Sequence, residues 1–128
     1  MVTEDYVNFE VAKLLKEKGF DAECDYLYVV GELVRAQGCA CNWNNGETLF
    51  TDYKNECSAP TLQMTMKWLR EVHKIEIRVI YDNEKLCWYG ACNPMNEPSQ
   101  ILLGSGRKSK SYEEACENAV RYCLENLI

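Results

Sequence analysis

The most constraining feature of this sequence is a change of hydrophobic period within residues 58–81, SAPTLQMTMKWLREVHKIEIRVIY. The first part spaces its apolar residues three or four apart, as one face of an α-helix requires, and Ser58 and Pro60 suit a helix start. The second part alternates apolar with mostly polar residues, as a strand with one buried face does. The stretch therefore predicts a helix over 59–73 that runs almost directly into a strand over 75–81.

A second strand, over 85–92, follows a segment with the composition of a hairpin turn, Asp82-Asn83-Glu84. We expect a two-residue turn, which places Trp88 on the same face as Ile77. A three-residue loop would place Lys85 there instead, and burying a lysine is costly. A hairpin of two antiparallel strands is therefore predicted.

Further elements flank this hairpin. A third short strand is predicted over 100–104, and helices are predicted over 4–18 and 112–126 from their apolar spacing. The last helix is the best marked, because Ser111 followed three residues later by Glu114 forms a capping box.

Residues 21–57 form a variable strand and loop region that is harder to interpret. Tyr26 to Val30 reads as a strand that Gly31-Glu32 turns back, and Asn45-Gly46 is a second hairpin signal with Thr48-Leu49-Phe50 after it. We predict a single α+β domain over 1–128. It has an antiparallel sheet of at least three strands, with the three helices packed mainly on one face.

Composition bounds the function classes. The 128 residues suffice for one domain, and no run of about 18 apolar residues could span a membrane. A net charge of −6 disfavours a general nucleic-acid surface, since phosphate binding needs clustered Lys and Arg. The start of the sequence is acidic and amphipathic rather than signal-like, so we expect a cytoplasmic protein whose eight cysteines are reduced.

Cysteine thiols can act as metal ligands and as nucleophiles. Cys39 and Cys41 would need Cys24, Cys57 or His73 to complete a zinc site, and a usual site shows two close ligand pairs. We predict no metal and no cofactor, although the sequence leaves metal binding by Cys39 and Cys41 open.

Cys57 precedes the predicted helix 59–73, whose dipole could lower the pKa of its thiol. The only histidine, His73, ends that helix roughly 22 Å away at about 1.5 Å per residue, so the two cannot form a catalytic pair. The sequence therefore favours a non-catalytic protein, with a thiol-dependent enzyme at Cys57 as an alternative.

A protein-interaction module, able to self-associate as a homo-oligomer, is the favoured reading. Trp43 lies beside a turn among amide side chains, a setting that suits recognition, and the alternative is that its ring folds back on the sheet. Ile80, Cys87 and Tyr89 lie on the sheet face away from the helices and give it an apolar character. These four residues are the predicted partner contacts.

Three segments carry a resemblance to a known family: CSAPTLQMTMKWLREVHKIEI at 57–77, SYEEACENAVRYCLENLI at 111–128 and MVTEDYVNFEVAKLLKEKGFD at 1–21. They resemble small uncharacterised proteins of gut Bacteroides-type bacteria and their phages. The segments at about 25–56 and 82–108 do not enter this match. The resemblance implies a mobile-element origin and no assigned activity.

The order helix, three strands, helix, together with GSGRKSKSYEEACENAV at 104–120, is similar to a double-stranded-RNA-binding domain. In that family a basic cluster at the last helix reaches phosphates across a groove. The resemblance implies this role for Arg107, Lys108 and Lys110. Glutamates occupy the start of the helix where the family would have further lysines, so nucleic-acid binding is the alternative and not the favoured function.

Overall fold

The computed structural model of this protein describes residues 2–36, 38, 40–45, 56–96, 101–102 and 108–128. Helices and antiparallel sheets both occur among them, which confirms the α+β class. The chain divides into two compact units, Met1–Thr61 and Leu62–Ile128, here called the N-terminal and C-terminal units. The prediction of one domain over 1–128 stays a prediction.

The described part of the N-terminal unit contains one helix and one three-stranded sheet. The strands run antiparallel in the order β2-β1-β3, and the helix contacts β3. The elements are α1 (Phe9–Glu17), β1 (Tyr26–Val29), β2 (Glu32–Arg35) and β3 (Cys57–Ser58).

Helix α1 begins later than the predicted range of 4–18. It starts directly after Asn8, whose Oδ1 accepts a hydrogen bond from the N–H of Val11 at 2.9 Å and so caps the helix. The residues before it are held in an extended arrangement, because the N–H of Val7 donates to the carbonyl of Pro60 at 3.0 Å. Tertiary pairing thus overrides helix propensity in the first residues.

The β1–β2 hairpin confirms the first strand predicted in the variable region. Its two-residue turn is Val30-Gly31, one residue earlier than predicted, with φ of 52° and 78°. Two central residues with positive φ define the type I′ turn that matches strand twist. The second predicted hairpin, Gly46 and Thr48-Leu49-Phe50 after Asn45, lies outside the described residues.

The C-terminal unit is a three-stranded antiparallel meander with two helices packed on the β4–β5 pair. Its described elements are α2 (Leu62–Val72), β4 (Ile75–Asp82), β5 (Cys87–Pro94), β6 (Ile101–Leu102) and α3 (Tyr112–Asn126). Predicted strands 75–81, 85–92 and 100–104 are therefore all present. Strand β4 extends one residue beyond its predicted end, and β5 lies two residues later than predicted.

The two helices of this unit differ in how well their starts were predicted. Helix α3 begins after Ser111, whose Oγ accepts from the N–H of Glu114 at 3.1 Å, as predicted from the capping box. Helix α2 begins at Leu62, and not at 59, because Ser58 belongs to β3 and is fully buried instead of capping the helix.

The loop between β4 and β5 has four residues, where two were predicted. Oδ1 of Asp82 accepts from the N–H groups of Glu84 at 2.9 Å and Lys85 at 3.1 Å, which stabilises the longer turn. Two and four residues shift the register by an even number, so Trp88 still shares a face with Ile77 as expected.

Small and sulfur-containing side chains let α3 approach the sheet closely. Sγ of Cys92 on β5 donates to the carbonyl of Ala119 on α3 at 3.3 Å, and Sγ of Cys116 lies 3.4 Å from the sulfur of Met66 on α2. Neither Ala119 nor Cys123, one turn further along, retains any exposed surface.

In the part of the chain that the structure describes, no helix has the length and apolar character that crossing a bilayer demands.

Candidate functional site

Trp43 is an internal residue of the N-terminal unit. Its Nε1 donates to the carbonyl of Cys24 at 2.9 Å, its backbone N–H donates to Oγ of Ser58 at 3.0 Å, and only 6% of the residue is exposed. Both ends of the residue are therefore occupied by contacts within the unit. The ring of Trp43 is therefore not accessible to the partner that the sequence predicted for it.

The outer face of the β4–β5 pair carries the other three predicted contacts, and they differ in exposure. Ile80 on β4 is 42% exposed, and Tyr89, its direct partner on β5, is half-buried. Cys87 is only 7% exposed, and its hydrogen bond with Tyr89 is the main cause that raises the pKa of that tyrosine to about 12. The accessible part of this face is thus narrower than predicted and lies towards β4.

The free edge of β4 is a feature that the sequence reasoning missed. Strand β4 pairs only with β5 among the described strands. Two observations fix which backbone groups face β5: the N–H of Met95 donates to the carbonyl of Lys74 at 2.8 Å, and Trp88 exchanges both backbone hydrogen bonds with Ser109 on the other edge of β5.

In an antiparallel ladder the direction of the backbone groups alternates along the strand. The even-numbered residues of β4 therefore point their N–H and C=O groups at β5, and the odd-numbered ones point them outwards. No described residue bonds to these outward groups. They belong to Ile75, Ile77, Val79 and Tyr81.

The exposed side chains along this edge are two apolar residues and one pair of opposite charges. Ile80 and Tyr81 are 42% and 41% exposed, and Nε of Arg78 lies 3.3 Å from Oε2 of Glu76. We call the outward backbone groups of β4, together with the side chains of Ile80 and Tyr81, the β4 edge surface. The sequence does contain a signal for this free edge. Only two residues separate α2 from β4, and this short connection leaves no room for a strand beside β4.

A pocket of about 390 Å³ lies in the N-terminal unit between α1 and β3. Its cations are already matched, since Nζ of Lys16 donates to the carbonyl of Glu56 at 2.8 Å and Nζ of Lys13 lies 3.4 Å from Oε1 of Glu10. Its lining residues are Phe9, Lys13, Lys16, Glu17, Glu56 and Cys57.

Cys57 does not have the properties of a nucleophile in this pocket. It lies in β3, five residues before the first residue of α2, and not directly before a helix start as the sequence suggested. The residue is 1% exposed, and burial raises the pKa of its thiol to about 11 although Lys16 and Lys13 oppose the shift. The thiol is therefore protonated at neutral pH, whereas the thiolate is the reactive form.

His73 follows α2 and packs its ring edge-on against Trp68, with centroids 4.6 Å apart. Its Nε2 is buried without a hydrogen-bond partner among the described residues, and burial lowers the pKa of the imidazole from 6.5. The geometry gives this histidine a packing role.

The described cysteines do not form a metal cluster. Cys24 and Cys41 face each other in an antiparallel bridge, with backbone hydrogen bonds of 2.9 and 3.3 Å. No group of three or more His, Cys, Asp or Glu that could hold a metal occurs in the part of the chain that is described, from which Cys39 is missing. For Cys39 and Cys41, the absence of a metal stays a prediction.

The predicted nucleic-acid contacts lie before α3. Lys108 and Lys110 are exposed, and Arg107 lies outside the described residues. The backbone N–H of Lys110 donates to Oε2 of Glu114 at 3.3 Å, which brings a carboxylate to this basic segment. A phosphate would therefore meet mixed charge here.

Comparison with known proteins adds no family to these observations. No protein-family model, no curated protein and no solved structure matches this chain.

Proposed function

We propose that this protein is a non-catalytic protein-interaction module that binds its partner through the β4 edge surface. The observation that carries the proposal is the row of outward backbone groups on β4, which have no described partner, beside the exposed Ile80 and Tyr81. An unpaired strand edge is a ready template for another strand, and exposed apolar side chains beside it supply affinity.

Other observations support the origin and the location that we propose for this protein. The resemblance to proteins of Bacteroides-type bacteria and their phages supports a mobile-element origin. Seven described cysteines are free thiols, which supports a cytoplasmic location. The protonated thiol of Cys57 and its distance in sequence from α2 leave a thiol enzyme without geometric support.

Site-specific photo-crosslinking tests this proposal. A photoreactive amino acid at Ile80 is compared with one at Glu10, an exposed residue of α1 that is outside the β4 edge surface. We expect a discrete crosslinked protein from position 80 only. After its purification, it should bind the wild-type chain and fail to bind Ile80→Asp of unchanged melting temperature. Equal labelling from both positions, or none, would contradict the proposal.

Double-stranded nucleic-acid binding is the second candidate. One observation favours it: the C-terminal unit has the element order helix, three antiparallel strands, helix, and Lys108 and Lys110 are exposed just before its last helix. A gel shift with duplex RNA at low and moderate salt tests it. Salt-sensitive binding that Lys108→Glu removes would support this candidate, because each lost phosphate contact weakens binding and lowers its salt dependence.

A further inference from the structure

The β4 edge surface is complementary to itself. We propose that two copies of this chain pair their β4 strands antiparallel about a two-fold axis at Ile80, which joins the two C-terminal sheets into one. This proposal rests on the proposed function and names its partner, a second copy of the chain. It follows from the alternating direction of the backbone N–H and C=O groups along β4 and from the charges of its side chains.

The alternating direction of the backbone groups restricts which residues of two β4 strands can pair. Only odd-numbered residues of β4 carry outward N–H and C=O groups, so the hydrogen-bonded pairs between two copies must be odd with odd. A symmetric pairing is then centred either on an odd residue, as a hydrogen-bonded pair, or on an even residue, as a non-hydrogen-bonded pair. Every centre from Glu76 to Ile80 satisfies this condition. The charge and burial of the side chains therefore select among these centres.

The charges eliminate most of these centres. A centre at Glu76 or at Arg78 places that residue opposite its own copy, and like charges directly opposite destabilise a strand pair. A centre at Val79 places Glu76 opposite Asp82. Two centres bring opposite charges together instead: Ile77 pairs Glu76 with Arg78, and Ile80 pairs Arg78 with Asp82.

Burial separates the two remaining centres. Ile77 is only 5% exposed before any pairing, so a centre there covers little new apolar surface. A centre at Ile80 brings two side chains that are each 42% exposed into the closest type of cross-strand pair. Because Tyr89 is the neighbour of Ile80 on β5, the row Tyr89, Ile80, Ile80 and Tyr89 then crosses the joint.

The opposite face supports the same register. With the axis at Ile80, Val79 pairs with Tyr81 of the other copy, and their outward backbone groups become the hydrogen-bonded pairs. The ring of Tyr81 already packs against Trp88, with centroids 4.8 Å apart, and can extend over the other copy. Both faces of the joint therefore carry apolar contacts, and the two Arg78–Asp82 pairs flank them.

Opposite charges at position 80 give a direct test, because this register places the residue against its own copy. Ile80→Glu and Ile80→Lys are each expected to weaken self-association by roughly tenfold or more, and an equimolar mixture should associate again as a heterodimer. Sedimentation equilibrium over a concentration series extending into the millimolar range measures this. Restoration in the mixture also shows that each variant is folded.

Leu33→Glu and Leu33→Lys are the matched controls. Leu33 lies on β2, also an outer strand of its sheet, and is equally exposed at 42%. These variants should leave self-association unchanged, singly and mixed. If they reproduce the pattern of the Ile80 variants, the assignment to β4 is wrong.

Other outcomes overturn the inference in distinct ways. A wild-type chain that stays monomeric throughout the series excludes the dimer. If Ile80→Glu strengthens association and Ile80→Lys weakens it, position 80 faces Lys74 and the axis lies at Ile77, so the proposed register is wrong. Association that neither variant weakens also excludes it.

Hydrogen exchange of the wild-type chain provides a test without substitutions. The amides of Val79 and Tyr81 should exchange more slowly at high than at low protein concentration, and that of Ile80, which already faces β5, should not change. A crosslink from position 80 to a different protein, with a monomeric wild-type chain, would retain the proposed function and reject only self-pairing.

Discussion

The two units of this chain are stabilised by different kinds of contact. In the N-terminal unit, side chains bond to backbone groups far away in sequence: Oη of Tyr28 donates to the carbonyl of Val7 at 2.7 Å, and Nδ2 of Asn44 donates to the carbonyl of Phe20 at 3.0 Å. In the C-terminal unit, regular helices lie on a regular sheet, with small side chains such as Cys92 and Ala119 fully buried between them.

This difference predicts different weaknesses. A unit that depends on particular hydrogen bonds fails when one of its polar anchors is removed, because a buried carbonyl then loses its donor. A unit that depends on close approach of a helix to a sheet fails when the contact is overfilled. The following substitutions test whether the two units respond in these opposite ways.

The largest effect is expected in the N-terminal unit from Trp43→Ala. The change empties a buried site and removes the shorter of the two hydrogen bonds to the carbonyl of Cys24, so we expect a loss of about 3–5 kcal/mol in the free energy of unfolding. Urea unfolding followed by circular dichroism measures it. Trp43→Phe is the control, since it keeps most of the ring and loses the bond, and should cost less. A loss below about 1 kcal/mol from Trp43→Ala would mean that the indole is no anchor.

The next effect belongs to the C-terminal unit. Ala119→Leu adds volume where α3 meets β5, beside the bond from Sγ of Cys92 to the carbonyl of Ala119, and should destabilise by about 1–3 kcal/mol. Glu125→Leu adds a leucine on the exposed side of the same helix and should change stability by less than about 0.5 kcal/mol. Equal effects of the two would show that the helix–sheet contact tolerates added volume.

The same difference explains how far sequence reasoning reached. In the C-terminal unit the period change after His73 and the capping box at Ser111 are local signals, and both predicted elements that exist. The face of Trp88 was also predicted correctly, although the loop before it is longer, because face depends only on an even or odd shift.

In the N-terminal unit the decisive contacts join distant residues and leave no local pattern. The pairing of Val7 with Pro60 shortens α1, and the bond from Trp43 to Cys24 turns an expected surface aromatic into a buried one. The β4 edge was missed for a related reason. A strand pattern shows which side chains are buried, but not which side of the strand lacks a neighbour.

A gain in stability is expected where the N-terminal unit has a strained backbone. Val30 has φ of 52° in the β1–β2 turn, a conformation that a β-branched residue rarely adopts, and its side chain is 66% exposed. Val30→Asn should therefore stabilise by about 1 kcal/mol, because asparagine tolerates this conformation. Thermal melting measures the gain. Val2→Asn, at a 99% exposed residue without positive φ, is the control and should change nothing. A loss of stability in Val30→Asn would show that Val30 makes contacts that outweigh the strain.

The smallest effect concerns His73 and the pH dependence of the C-terminal unit. Burial lowers the pKa of this imidazole from 6.5, so the folded chain favours the neutral form. As the pH falls below about 6.5, the unfolded chain takes up this proton before the folded chain does, and stability decreases.

His73→Phe removes this titration and keeps a ring against Trp68. We expect the variant to lose less stability than the wild-type chain between about pH 7 and about pH 5, as measured by urea unfolding at each pH. Carboxylates elsewhere titrate equally in both proteins, so the difference between the two slopes isolates the histidine. Parallel slopes would mean that Nε2 reaches solvent or a partner, and that the regular C-terminal unit is less tightly closed at the end of α2 than its packing indicates.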